Sequence, residues 1–530
     1  MKFIAGSDRN QIPLFQTTLD DAISPDHEVR LIDLFVNSLS FPTMGFKFDF
    51  IENGRPAYHP ADLLKIFIYG YLNRIRSSRT LEKECGRNIE MMWLAKGLKP
   101  DHNTISNFRR DNPTAIRNVF RATVRMAKDF ELIGGQLLAG DSTKLRAQNS
   151  KKNNFNPKKI EKHVAYIDAK LEEYNAILAT GDQDVPEAGE KTIVEKIAGH
   201  LVQKEKYLAL DKQLKESGET QISASDPESR QMITRNNITE VAYNVQATID
   251  AKHNLAIDYL VTNRNDTKAM GEMVERAKTI LGTTDFTVLY DKGYHTGSEF
   301  ERADKLGITV LVGIPDVAAH APDHAFDVAN FKYDQATDTH ICPAGQTLVS
   351  NGNWYNKDRG KSVSKVKHYK TAACAACPSL QLCTKNQSGR LIERSEFADL
   401  IFQNKQGMES NKGLYRRRQA IVEHPFGIIK RQWDFYYIMT KKSIERASAD
   451  VGIIFTAFNL RRIFNIMDKD LLKAYLKGLA LCIWFLSARF RHLRPPGFFL
   501  SMKCRSKMAS LKVAQKRLYL SCARPFLLPI

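Results

Sequence analysis

Phe286-Thr287-Val288-Leu289-Tyr290-Asp291-Lys292-Gly293 is the stretch on which the fold class turns. Aromatic, aliphatic and β-branched residues run into a carboxylate, and Lys-Gly then breaks the run. The pattern is that of a short buried strand. Asp291 stands at its C-terminal end, where a side chain is held rigidly at the rim of a sheet. Further on, the periodicity turns helical over 298–306 and returns to a buried strand at 308–312. Upstream, a helix is predicted over 267–281. It follows strands at 241–250 and 255–261, joined as a hairpin through Lys252-His253-Asn254. Earlier still, Gln136 to Gly140 reads as a strand ending on Asp141. The order strand, hairpin, helix, strand, helix, strand predicts a mixed α/β sheet flanked by helices.

Two insertions interrupt this core. Over 150–230, Ile160, Val164, Ile167, Leu171, Tyr174 and Leu178 step by four and three residues, a heptad seam. Residues 181–186 break it, and a second seam follows through Val194, Ile197, Leu201 and Leu208. The reading is an antiparallel helical hairpin, a structural arm. The second insertion, 316–400, is rich in turn residues and holds Cys342, Cys374, Cys377 and Cys383. One Cys-x-x-Cys pair with two further cysteines can give tetrahedral Zn²⁺ coordination. Such a site would hold together a segment too poor in apolar residues to fold alone. The alternative is four reduced thiols in a loop. Cys85, Cys482, Cys504 and Cys522 stand isolated.

The chain has 530 residues, which predicts two to four domains rather than one core. Hydrophobic residues make up 43%, which excludes global disorder. The net charge of +19 points to a polyanionic partner, nucleic acid first and an anionic membrane surface second. The start of the chain lacks a signal-peptide apolar stretch. The longest apolar run near the other end, 479–486, is far short of the roughly 20 residues a membrane span needs. A cytoplasmic protein with free thiols and no membrane partner is expected. Residues 1–130 read as helical. His59-Pro60-Ala61-Asp62 starts a helix, a polar turn at 76–79 precedes a second, and a third ends on Arg109-Arg110. Short helices and tight turns suit a helix-turn-helix DNA-binding module with Arg109 and Arg110 as contacts; the alternative is an ordinary bundle. Residues 131–465 would form the catalytic domain, and 466–530 a basic tail.

From Leu414 the helical pattern resumes and carries Tyr415, Arg418, Glu423 and Lys430. Lys430 lies seven residues after Glu423, two turns on and on the same face. Two sheet carboxylates, Asp141 and Asp291, with a helix carboxylate, Glu423, can bracket two Mg²⁺ or Mn²⁺ ions roughly 3.5–4 Å apart. An all-oxygen donor set suits such ions. Lys430 and the nearby arginines would hold the scissile or flanking phosphate, with Tyr415 and Arg418 as DNA contacts.

Four stretches together resemble the DDE transposases of bacterial insertion sequences. Gly140-Asp141-Ser142-Thr143-Lys144 is similar to the first-Asp motif, and Leu289 through Tyr294 to the second. Tyr415 through Lys430 is similar to the Tyr-Arg-Glu-Lys signature. Residues 63–110 are similar to the domain that precedes the core in one branch. One departure stands out: Tyr415 and Arg418 lie eight and five residues before Glu423, where the signature has seven and four. The resemblance implies a ribonuclease-H-like core with Asp141, Asp291 and Glu423 as metal ligands and Lys430 beside them. It implies strand cleavage and strand transfer on double-stranded DNA, at terminal inverted repeats and a target, by a homodimer. Two other readings share these residues: a metal-dependent nuclease without strand transfer, and a non-enzymatic DNA-binding protein derived from a transposase.

Overall fold

The structure is a computed structural model and describes residues 18–490 apart from 48–55, 181–186, 235–237, 317–319, 359–362 and 441. The expected turn at 181–186, and Cys504 and Cys522, lie outside the described residues. So does most of the expected basic tail, 491–530. Its first part is helical.

In chain order the main helices are α1 (Glu28–Asn37), α2 (Pro60–Leu72), α3 (Ser78–Arg87), α4 (His102–Asp111), α5 (Pro113–Asp129), α6 (Pro157–Thr180) and α7 (Glu187–Ser217). There follow α8 (Met270–Leu281), α9 (Gly297–Lys305), α10 (Ala398–Ser410), α11 (Lys412–Gly427), α12 (Ile444–Ile466) and α13 (Lys469–Phe490). The strands are β1 (Leu137–Arg146), β2 (Arg230–Ile233), β3 (Thr239–Asp250), β4 (Ala256–Thr262), β5 (Thr287–Tyr290) and β6 (Thr309–Val312). A second group comprises β7 (Lys332–Asp334), β8 (Thr339–Ile341), β9 (Thr347–Asp358), β10 (Val363–Lys370) and β11 (Ile392–Ser395). The chain divides into two compact units. Unit 1 is Met1–Gly134, Ser142–Arg264 and Glu423–Ile530; unit 2 is Gly135–Asp141 and Asn265–Val422.

Unit 1 is organised around α12. Ser443 caps its start by accepting from the Arg446 amide, and every residue from Ala447 to Leu460 is buried. It packs on α5, α2, α4 and β4. Two polar residues inside this buried run bind specific partners. Asn459 bonds both backbone groups of Ala256, at 3.0 and 2.8 Å, so the helix is pinned to β4 as a strand would be. Asp450 is fully buried and receives Tyr71, Arg76 and Arg109, the last at 3.2 Å, besides the Met439 amide at 2.8 Å. Burial raises the Asp450 pKa, but Arg76 and Arg109 outweigh it and hold the carboxyl below its ordinary value.

That cluster corrects one expectation. Arg109 was placed among the DNA contacts because it ends a basic helix. Its side chain is 3% exposed and bound to Tyr71 and Asp450, so it is structural. Arg110, one residue on, points outward and pairs with Asp111 at 2.6 Å. The sequence-predicted helices at the N-terminus are present, each with its own start. His59 accepts from the Ala61 amide ahead of Pro60, and Asp101 accepts from the Asn103 and Thr104 amides.

The arm is α6 and α7, rooted on Phe155, Ile160, Leu210, Leu214 and Ile222. Ile160 and Ile167 are buried as the first seam predicts. The second seam is not the one apolar spacing suggests. Val194, Leu201 and Leu208 are each about half exposed. The inward positions of α7 include His200, Lys204 and Tyr207. Lys204 bonds Asp168 at 2.6 Å, His200 stacks on Tyr174, and Tyr207 stacks on His163. Polar side chains with partners on α6 take the seam, and the apolar stripe turns outward.

In unit 1, β3 pairs antiparallel with β2 and with β4. In unit 2, the first half of β1 pairs parallel with β5, and β5 pairs parallel with β6. The last residue of β6 is closed by Asn404 of α10, which bonds the Val312 amide and carbonyl at 2.9 Å each. Unit 2 also contains a separate antiparallel sheet in the order β11-β10-β9-β8-β7.

Candidate active site

The register of unit 2 brings two of the predicted carboxylates together. Leu137, Leu138 and Ala139 of β1 lie opposite Thr287, Val288 and Leu289 of β5. Two residues further along each strand come Asp141 and Asp291. Asp141 lies inside β1, and Asp291 lies just past the end of β5, so the register carries both residues toward the same end of β5. The strand expected to end on Asp141 instead runs on to Arg146, because its later residues continue in extended backbone.

The residue before each aspartate makes this approach possible. A Cβ on Gly140 would fall 2.1 Å from the Tyr290 ring, so the ring occupies the space a side chain at 140 would take. The Tyr290 carbonyl accepts from the Gly313 amide at 3.1 Å and from the Tyr415 hydroxyl at 3.0 Å. Gly313 is constrained in the same way: a Cβ there would meet the Tyr415 oxygen at 2.5 Å. Asp291 is oriented by its own loop, since Oδ1 accepts from the Gly293 amide at 2.8 Å.

Helix α11 supplies the basic partner. Arg418 Nη1 donates to Asp141 Oδ2 at 3.0 Å, with both side chains largely buried at 18% and 23% exposure. Tyr415, one turn earlier, anchors α11 to the end of β5. Burial raises the Tyr415 pKa, and the negative charges of Asp291 and Asp141 add to this while Arg418 opposes it. Glu423 follows on the same helix and is exposed. Five residues beyond Arg418 it lies about 140° round an ideal helix. Pro425 sits inside α11, and the next turn, Ile428–Gln432, is π-helical. Lys430 lies in that turn and is partly buried.

Among the cysteines, Cys342, Cys374, Cys377 and Cys383 all line one small cavity of unit 2. They are reduced, as is the buried Cys85. Sequence reasoning did not single out His320, His324 and Asp327. Their ligand atoms lie within 4.8 Å of one another, with both histidines on Asp327 Oδ2 at 2.8 and 3.1 Å. The spacing His-x₃-His-x₂-Asp was the available signal. The two rings are half or more exposed.

Two aspartates near one end of a parallel strand pair, one of them bonded to a guanidinium, lie in a chain of net charge +19. The comparisons specify the class. Residues 17–111 match the family described as transposase domain (DUF772). Residues 341–464 match the family described as transposase DDE domain, which spans Tyr415, Arg418, Glu423, Lys430 and the four clustered cysteines. The chain carries both transposase domains, and the DDE match makes it a DDE-type DNA transposase. A solved piggyBac transposase synaptic complex with hairpin DNA aligns over 94% of this chain and 86% of its own length, at 8% identity and a TM-score of 0.32. No curated protein matches the chain. No helix among the described residues is long and apolar enough to cross a membrane.

Proposed function

We propose that Asp141, Asp291 and Glu423 are the metal-binding triad of a ribonuclease-H-like core, and that the enzyme cuts the ends of an insertion sequence and joins them to target DNA. The observation that carries this reading is the parallel pairing that leads to Asp141 and Asp291, with α11 tied to Asp141 through Arg418 and to the Tyr290 carbonyl through Tyr415. The donors are all carboxylate oxygens, which fits Mg²⁺ or Mn²⁺ and disfavours a softer ion. When bound, two such ions supply an activated water or 3′-hydroxyl and stabilise the leaving oxygen.

The chain's own residues do the positioning. Arg418 holds Asp141 in one rotamer while neutralising part of its charge. Tyr415 fixes the helix against the carbonyl that precedes Asp291. Glu423, farther along α11, would supply the third carboxylate. Lys430 and Arg110 take DNA phosphates. The enzyme acts as a homodimer on paired element ends.

The test is cleavage of a linear duplex carrying the element's own terminus, with Mg²⁺ or Mn²⁺. Asp141→Ala, Asp291→Ala and Glu423→Ala should each lose at least about a thousandfold in rate, the scale of several kcal/mol of charge stabilisation. Duplex binding should stay within about twofold in a mobility-shift assay, since the phosphate contacts are elsewhere. Wild-type cleavage by Asp291→Ala would refute the triad. Cleavage without end-joining would favour a nuclease.

A further inference from the structure

We infer that Cys342, Cys374, Cys377 and Cys383 bind one zinc ion that holds the five-stranded sheet of unit 2 together. The sequence shows only spacing; the structure brings all four thiols to one cavity, against Phe331 and Leu348.

Three local arrangements fit a ligand set. Cys342 ends β8 on a tight turn, Pro343-Ala344-Gly345, with Gly345 at φ +78. The Gln346 amide donates to Cys342 Sγ at 3.3 Å, a bond that stabilises a thiolate. Cys374 and Cys377 share a second turn, closed by the Cys377 amide on the Cys374 carbonyl at 3.3 Å. Gly389, at φ +90, lets the backbone pass Cys374. A Cβ there would lie 2.5 Å from the Cys374 Cβ and 3.2 Å from its sulfur.

The sheet also needs such a staple. Its buried cluster is Phe331, Leu348, Tyr369, Cys383 and Ile392, five side chains of which one is itself a ligand. β9 is exposed along most of its length. An apolar core this small does not hold five strands, and small modules of this kind use metal or disulfides. The cysteines are free, so metal is the available device. The trio that already closes within 4.8 Å is the exposed His320, His324 and Asp327. Zinc would draw the four sulfurs further in, to a shell of about 2.3 Å.

The inference is independent of the catalytic reading, and its test does not use cleavage. Elemental analysis of the purified full chain should find about one zinc per chain. Cys377→Ser and Cys383→Ser should each lose it, while Cys482→Ser and His320→Ala with His324→Ala should keep it. If the serine variants fail to fold, the wild type still decides. Cobalt substitution should give the visible absorption of tetrahedral cobalt thiolate, and the number of reactive thiols should rise by about four when a chelator is added. Metal-free protein, no rise in reactive thiols on chelation, or zinc lost from the His320 and His324 variant instead of the cysteine variants would overturn it.

Discussion

Asp450→Ala is the sharpest test of how unit 1 is held. The carboxylate is fully buried, and its two cationic partners, Arg76 and Arg109, are 7% and 3% exposed. Neither guanidinium has water to fall back on. Removing one partner of a buried ion pair costs about 3–5 kcal/mol, because the remaining charge is stranded. Here two are stranded, and the Met439 amide loses its acceptor. The same change should lower the melting temperature by on the order of 10 °C, at about 2–4 °C per kcal/mol for a domain of this size. Calorimetry of wild type and variant measures it directly. The pH profile gives a second check. Arg76 and Arg109 hold the folded pKa of Asp450 below its unfolded value. Its contribution is therefore complete above the unfolded carboxylate pKa of about 4 and is lost as pH falls through the folded value. The variant should lack that part of the acid limb. A loss below about 1 kcal/mol, or an unchanged acid limb, would refute the argument that this cluster is structural.

Three further predictions follow from the site and its surroundings. Gly140→Ala places a methyl inside the Tyr290 ring and should abolish cleavage while lowering the melting temperature; pairing it with Tyr290→Leu should restore part of both. Tyr415→Phe removes one hydroxyl bond to the Tyr290 carbonyl, worth about 1 kcal/mol, and should slow cleavage roughly fivefold in single-turnover assays without weakening DNA binding. Arg110→Ala should leave stability within about 0.5 kcal/mol and reduce the slope of log affinity against log salt by about 0.9 for one lost phosphate contact. An unchanged slope would remove Arg110 from the DNA surface.

Much of the site was legible locally. The strand end at Asp291 is written in an apolar run followed by a breaker, and the structure puts Asp291 just past β5; the end expected at Asp141 is absent, since β1 runs on to Arg146. The hairpin at 241–261 and the helices either side of β5 follow from periodicity and turn residues. Failures came where a residue's neighbour is far off in sequence. Arg109 reads as a surface cation because it ends a basic helix; its acidic partner is 341 residues away. The outward face of α7 looked like a seam because apolar spacing ignores what Lys204 and His200 find on α6.

By itself, then, the sequence determined the mixed α/β class, the strand that leads into Asp291, the helix that carries Glu423, the cysteine spacing and the cationic surplus. Each is a property of a short window or of a sum over the chain. Tertiary structure decided which of these meet. Only the β1–β5 register sets Ala139 opposite Leu289, two residues before Asp141 and Asp291, because a parallel pair can slide without altering either strand's own pattern. Only packing sets Arg418 on Asp141 across 277 residues, buries Arg109 beside Asp450, and gathers four cysteines around one cavity. The physical reason is the same in each case. Local periodicity says which face of an element is apolar, but the partner that satisfies a polar group is chosen by three-dimensional proximity alone.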